Sequence, residues 1–468
     1  MPQPGNNAAA FDPGSQIETY QQAVEYLYGR INYERAASHT YSVGDFKLDR
    51  MRELLKRLGN PQESIPAVHI AGTKGKGSTA AMVAAMLTAA GHRTGLFTSP
   101  HIAAFEERLI IDGQQATPLQ IVSLVRQLAG VVAELDKLPG HAGPTYFEIA
   151  TAMAWLWFRE QQVKLAVLEV GLGGRLDSTN VCCPAVTVIT TISRDHMRQL
   201  GFRLEQIAAE KAGIIKPGVP VISGVLASPA EAVIARVAVE LDAPLLQLGR
   251  DFSYFGTAET AADGAAAITV KAGETSVAQD LPQPLLGEHQ AHNLALAVMA
   301  VQQLRNQGWN IPASAMSAGL SRMRWPGRIE VVRREPTVVI DAAHNWAAVQ
   351  ALCETLRSSF AARRRILIFA ATQDKDVAGM LRQLMPTFDS VILTHYQNNP
   401  RAVPTQELTR LAVVSTNLPF HTAPDPAASW QMARSFAGPQ DLICITGSFF
   451  IAAELRELIL APSEDTTA

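Results

Sequence analysis

The sequence predicts an α/β protein in which a parallel sheet, entered through a strand that runs into a phosphate-binding turn, is followed by a second, smaller α/β unit. Three observations carry this expectation. The apolar run Ala67 to Ala71 leads directly into Gly72-Thr73-Lys74-Gly75-Lys76-Gly77-Ser78, with a helical stretch rich in Ala, Met and Leu behind it. Val- and Ile-rich runs without clean alternation, Leu165 to Val170, Val186 to Ile192 and Val219 to Ser223, suit strands buried on both faces. After the turn Trp325-Pro326-Gly327 a second set begins, Thr337 to Ile340, Ile366 to Ala370, Ser390 to Thr394 and Leu442 to Thr446, with helical stretches between, as in a Rossmann-like unit.

At 468 residues the chain exceeds the size at which one core stops growing, so two or three domains are expected. Residues 1–15, rich in Gly, Pro, Asn and Ala, and the tail 462–468 read as disordered. Between them, 16–324 forms the phosphate-binding domain and 325–461 the C-terminal one. Helical patterns at Ile17 to Gly29 and Asp49 to Leu58 precede the first strand, and Phe252 to Val277 reads as a small antiparallel excursion.

Composition excludes several classes. Hydrophobic residues make up 47% and charged residues 18%, which supports a sizeable core. A net charge of -3 gives no overall field for a polyanion, so nucleic acid is not expected as a partner. The 4 cysteines form no disulfide or zinc pattern: Cys182 and Cys183 are adjacent, Cys353 falls on a helix and Cys444 in an apolar run, and all four read as buried free thiols in a reducing compartment. No secretory signal opens the sequence, and the most apolar helical stretch, Thr79 to Ala90, is too short to cross a bilayer. A cytoplasmic protein without a membrane partner is the expectation.

The turn at 72–78 carries the clearest chemistry. A strand-to-helix junction aims helix N-terminal amides at an anion, glycines let the backbone approach phosphate oxygens, Lys76 adds charge and the Ser78 hydroxyl suits magnesium. The spacing differs from G-x-x-x-x-G-K-[ST], with an extra glycine before the serine. The alternative is an ordinary glycine turn capped by Ser78; the strand before it, the helix behind it and the lysine between glycines together favour the phosphate-binding reading. Glu169 stands at the carboxyl end of a buried strand, where an acid is costly unless it is paired or holds a metal. The next strand ends in Ser193-Arg194-Asp195-His196, at the sheet edge where α/β proteins bind ligands, so Glu169 and His196 are candidate magnesium partners. Gly171-Leu172-Gly173-Gly174 lacks the third glycine of a dinucleotide fingerprint, which argues against NAD. In the second half, Asp341-Ala342-Ala343-His344-Asn345 follows a strand; alone it could be a helix cap beside a surface histidine, whereas Arg328 just past the hinge favours a nucleotide held between domains.

Taken with Thr98-Ser99-Pro100-His101, Glu107-Arg108, Leu168 to Asp177, Glu210-Lys211-Ala212-Gly213-Ile214, Gly287-Glu288-His289-Gln290 and Trp325-Pro326-Gly327-Arg328, these motifs resemble the folylpolyglutamate synthase and dihydrofolate synthase family of the Mur ligase superfamily, in the family's order over about residues 20 to 455. The resemblance implies a P-loop ATPase domain followed by a Rossmann-like domain on the glutamate side. It implies an ATP-dependent ligase that adds L-glutamate to dihydropteroate or to the tail of a reduced folate through an acyl phosphate, giving ADP and phosphate. Carried over, Gly72, Thr73, Lys74, Gly75, Lys76, Gly77 and Ser78 would hold the ATP phosphates, with Asn293, Arg328 and Asp341 contacting ATP across the cleft. Ser78, Ser99, Glu169 and His196 would bind magnesium, of which two ions are implied. Thr145, Tyr146, Phe147, Glu148, Arg175, Leu176 and Asp177 would line the folate site. Lys76, Lys211 and His344 would be catalytic, Lys211 as a carbamylated lysine, and a monomer is implied.

Three positions depart from the family's pattern: Lys74 stands where Asn is usual, Ser193-Arg194 where Gly-Leu is commoner, and Trp346 where Pro is usual. Two other readings compete. A cell-wall Mur ligase would need an additional N-terminal domain, and only 71 residues precede Gly72. A nucleotide-binding module without catalysis would have no use for Lys76, Glu169, His196 and Asp341 together.

Overall fold

The computed structural model describes residues 17–34, 48–138, 143–226, 228–256, 266–415 and 420–461. The segments expected to be disordered, 1–15 and 462–468, lie outside the described residues. Eight strands form the first sheet, in the order Gln114–Gln115, Leu109–Ile111, Thr94–Phe97, Leu165–Glu169, Pro66–Ala71, Cys183–Ile189, Val221–Ser223 and Leu245–Gln247. All its pairings are parallel except those of Leu109–Ile111 with its two neighbours, so the sheet is mixed at one edge rather than parallel throughout.

Period-two geometry explains why the central strands lack sequence alternation. Val68, Ile70, Leu165 and Val167 point to one face, packed under helices Lys76–Ala89, Glu288–Asn306 and Ala313–Arg322, whereas Ala67, Ala166 and Leu168 point to the other. That second face is covered by helices Tyr20–Tyr28, Leu48–Arg57, Pro118–Asp136 and Tyr146–Glu160. Both faces are buried, so both sets of side chains are apolar. Trp155, fully buried in helix Tyr146–Glu160, meets Phe158 edge-on at 6.2 Å. Trp155→Ala is expected to cost about 3–5 kcal/mol in urea unfolding, the usual range for emptying a large aromatic site. A loss below about 1 kcal/mol would mean that this helix is not held by its core face.

The antiparallel excursion is present as a three-stranded sheet, Phe252–Gly256, Ala267–Ala272 and Thr275–Pro282. The second main sheet has the order Glu330–Arg334, Thr337–Ile340, Leu442–Thr446, Arg365–Phe369, Ser390–Leu393 and Phe420–Thr422. Only Glu330–Arg334 runs antiparallel within it. Helices Trp346–Ser359, Val377–Leu384 and Thr405–Ser415 cover one face; Pro426–Phe436 and Phe449–Leu460 cover the other.

One expectation for the cysteines is corrected. Cys183, expected buried, opens its strand exposed, because only the residues from Val186 onward enter the core; Cys182, Cys353 and Cys444 are buried. Among the described residues one helix, Pro118–Asp136, is long and apolar enough to cross a membrane; the stretch behind the phosphate turn is not, in line with the expectation that it is too short. Ile121, Leu124, Val125, Leu128 and Val132 of Pro118–Asp136 are buried in the core of the first unit.

Candidate active site

The carboxyl ends of both sheets face one cleft of about 530 Å³, lined from the first unit by residues 72–78, Ser99, Glu169, Asp195, His196 and Lys211, and from the second by Arg328, His344 and Lys375. Strand Pro66–Ala71 lies between Leu165–Glu169 and Cys183–Ile189, so the loops leaving three adjacent strands meet there.

The phosphate turn is held rigidly from behind. Thr73 N donates to Thr191 O at 2.7 Å, Thr190 Oγ1 donates to Lys74 O at 2.6 Å, and Lys211 Nζ donates to Gly72 O at 2.8 Å. Gly75 caps helix Lys76–Ala89 with φ +84°, and a Cβ there would lie 2.1 Å from Asn293 Oδ1. A Cβ at Gly77 would approach Glu169 Oε2 to 3.2 Å. The irregular glycine spacing therefore admits one side chain from each side: Asn293 behind Gly75, and the Glu169 carboxylate against Gly77.

Glu169, almost fully buried, accepts from Ser99 N at 3.0 Å. Burial raises its pKa, opposed by Lys76, the Ser99 N–H and Arg328. Glu169 and the hydroxyls of Ser78 and Ser99 make an oxygen donor set, and no cluster of three His, Cys, Asp or Glu side chains occurs among the described residues. That set fits magnesium, which binds one or two carboxylates and completes its shell with phosphate and water rather than with an all-protein cage. His196, in the left-handed region at φ 48° with its side chain 38% exposed, has its pKa lowered by desolvation from its close-packed surroundings, against the pull of Asp195.

Lys211, 4% exposed on helix Leu204–Ala212, has its pKa lowered to about 7, chiefly by burial and then by Lys76. His344 donates from Nδ1 to the Ala342 carbonyl at 2.9 Å; a carbonyl can only accept, so the proton resides on Nδ1 and the Nε2 lone pair faces Lys74 Nζ at 3.5 Å. Arg328 sits 4.8 Å over the Phe449 ring. Asp341, almost fully buried, accepts from Ile329 N at 2.9 Å and Ala343 N at 2.8 Å. Asn345, not Asp341, caps the following helix. Asn293 and Asp341 stand behind the lining surface rather than on it.

The expected folate-side residues gather on the opposite wall. Thr145 and Glu148 form the capping box of helix Tyr146–Glu160, and Glu148 pairs with Arg50 at 2.7 Å. Tyr146 stacks on Tyr28 at 5.5 Å and lies under Arg108 at 5.3 Å, while Phe147, Leu176 and Asp177 line the same space. Arg175 does not: its side chain is half-exposed and pairs with Glu210 at 2.9 Å. The sequence reading gave no role to Asp374, Lys375, Arg401 or Phe449, which line the cleft from the second unit. Asp374 and Lys375 follow strand Arg365–Phe369, so the rule that found Asp341 could have found them; Arg401, in an irregular loop, carried no signal.

Residues 70–301 match the Mur ligase middle domain and residues 327–449 the Mur ligase glutamate ligase domain. The chain is 36% identical over 440 residues to the dihydrofolate synthase/folylpolyglutamate synthase of Bacillus subtilis, covering 94% of this chain and 98% of the relative. With the Mycobacterium tuberculosis protein of the same name identity is 40% over 447 residues, covering 88% and 90%. Among solved structures, M. tuberculosis folylpolyglutamate synthase complexed with ADP and AMPPCP superposes with TM-score 0.85 at 35% identity, covering 95% of this chain and 98% of that one. Escherichia coli FolC in complex with DHPP and ADP gives 0.81 at 28% identity, covering 94% and 98%. Two α/β units facing one cleft, a phosphate turn opposed by a buried glutamate, and likeness along nearly the whole chain converge: this chain belongs to the dihydrofolate synthase/folylpolyglutamate synthase family of Mur ligases.

Proposed function

We propose that the chain is an ATP-dependent ligase that joins L-glutamate to dihydropteroate, to the glutamate tail of a reduced folate, or to both. The acceptor's carboxylate takes the γ-phosphoryl group of ATP, ADP leaves, and the glutamate amine displaces phosphate from the acyl phosphate to give an amide. The observation that carries this reading is the shared cleft: the phosphate turn, the buried Glu169 and the aromatic wall at Tyr146 and Phe147 line one space with Arg328 and His344 of the second unit.

Attack of a carboxylate on a triphosphate opposes like charges, so cations must gather at the γ-phosphate. Lys76 and the amides at the start of its helix supply fixed positive charge there, and the glycines at 72, 75 and 77 let the backbone approach. Ser78, Ser99, Glu169 and His196 would hold magnesium, which neutralises phosphate oxygens when bound. Arg328, ordered on Phe449, with Asn293 and Asp341 behind the surface, would hold the nucleotide from the far side. Thr145, Tyr146, Phe147, Glu148, Leu176 and Asp177 would shape the folate side. The division into 16–324 and 325–461 is supported by the absence of any strand pairing between the two main sheets among the described residues. We take the protein to act as a cytoplasmic monomer, as the family resemblance implies.

Lys211 would carry the carbamate. Carbamylation needs the free amine, and a pKa near 7 keeps about half of it neutral at pH 7, where an ordinary lysine is almost wholly charged. Activity is therefore expected to rise with pH through about 7. It should fall in carbon dioxide-depleted buffer and recover on adding bicarbonate, and a Lys211→Ala protein should not respond. Stability follows the same sign: between about 7 and the ordinary lysine pKa the unfolded chain binds a proton that the folded chain does not, so the penalty this buried group places on folding is progressively relieved as pH rises across that window. A bicarbonate-independent wild type would sink the carbamate.

The test of function is ADP release dependent on L-glutamate, with dihydropteroate and tetrahydrofolate compared as acceptors. Turnover with either supports the reading, and their ratio names the branch. No turnover with either would overturn it.

A further inference from the structure

Opposite charges run in sequence from the aromatic wall to the phosphate turn, passing through the second unit. Arg108, fully buried over Tyr146, pairs with the Glu34 carboxylate at 2.5 Å. The backbone carbonyl of Glu34 accepts from Arg401 Nη1 of the second unit at 2.5 Å, while Arg401 Nη2 pairs with Asp374 at 2.7 Å. Lys375 lies 3.8 Å from both Asp374 and Asp195, and Asp195, back in the first unit, pairs with Lys74 of the phosphate turn at 3.0 Å. Asn345 Nδ2 donates to the same Asp195 carboxylate at 3.3 Å.

Each member is at least two-thirds buried, so solvent screens these pairs less than exposed ones. Arg401 also belongs to a stiff support: Gln373 N donates to Arg401 O at 3.0 Å and Gln373 Nε2 to Ala402 O at 2.9 Å, zipping its loop to the Asp374 loop. A guanidinium can serve a carbonyl and a carboxylate together, which an ammonium cannot match in fixed geometry.

We propose that Arg401 is a positioning residue for the ligation, fastening the loop that bears Asp374 and Lys375 to Glu34 and thereby, through Asp195, fixing Lys74 and the phosphate turn against the second unit. Lys74 is the other end of this clasp. Its ammonium is directed at Asp195 and His344, and its function is to register the two units on each other.

The relevance to catalysis rests on the ligase reading above; the coupling itself does not, so the first test needs no turnover. In ligand-free protein, Arg401→Gln is expected to accelerate amide hydrogen exchange in residues 72–76 at least fivefold, although Arg401 does not touch that turn. Lys74→Asn should in return accelerate exchange at 373–375 and 399–402. Acceleration confined to the neighbours of each substituted residue would overturn the proposal. The second test is a double-mutant cycle on kcat/KM. Each single change should lower it about tenfold and the pair by no more than about threefold beyond the worse single; losses that multiply, or singles within twofold of wild type, would overturn it. If Arg401→Gln does not fold, Arg401→Lys carries both tests, since lysine reaches Asp374 or the Glu34 carbonyl but not both.

Discussion

Lys76→Ala is expected to lower the ligation kcat by about 10²–10³-fold, the usual cost of removing one fixed group that stabilises developing charge. The side chain is only partly buried at the start of its helix, so folding should survive and unfolding midpoints should match wild type. The loss should exceed that of one phosphate contact, because Lys76 favours the charged form of Glu169 and lowers the pKa of Lys211. Without it Glu169 becomes easier to protonate and Lys211 shifts toward the ordinary charged lysine. The Lys76→Ala and Lys211→Ala effects are therefore expected to be far from additive, as for residues acting as one unit. Initial-rate assays of ADP release check both; activity of Lys76→Ala within fivefold of wild type would show that the turn does not serve phosphoryl transfer.

Glu169→Gln should separate activity from stability in opposite directions. The amide retains an oxygen for the Ser99 N–H and nearly the same volume in a buried site. It removes a charge that burial disfavours, so the ligand-free protein should unfold at a temperature no lower than wild type. Turnover should nevertheless fall by at least about 10²-fold, and the magnesium concentration for half-maximal rate should rise, because a neutral amide is a poor ligand for a hard cation. Magnesium titration of ADP release, beside a thermal melt, checks the pair. A variant that melts earlier and keeps its magnesium requirement would mean Glu169 is a structural acid.

Much of this site was legible because it is written at strand ends. A buried parallel strand is a continuous apolar run, and the first polar residues after it must emerge at the sheet edge; that logic located Gly72, Glu169, the Asp195-His196 pair and Asp341. It failed for strands Thr94–Phe97, Leu245–Gln247 and Phe420–Thr422, whose short segments mix polar or glycine residues with apolar ones and so show no continuous apolar run, although each pairs in parallel with a neighbour. It also overstated Arg175, whose motif reaches the cleft through Leu176 and Asp177 while its own guanidinium turns out to Glu210.

By itself, the sequence determined the order of the two α/β units, the phosphate turn and the acid opposite it, since these follow from local periodicity and from which residue types tolerate a strand end. Tertiary structure alone decided what those residues experience. Lys211 reads as an ordinary helix lysine until burial beside Lys76 brings its pKa to about 7. Lys74 reads as one more phosphate cation until Asp195 and His344 close on it from two sides. Arg401 has no reading at all until residues 367 positions apart meet at Glu34. Desolvation and charge pairing depend on distances between elements far apart along the chain, and no local pattern encodes them.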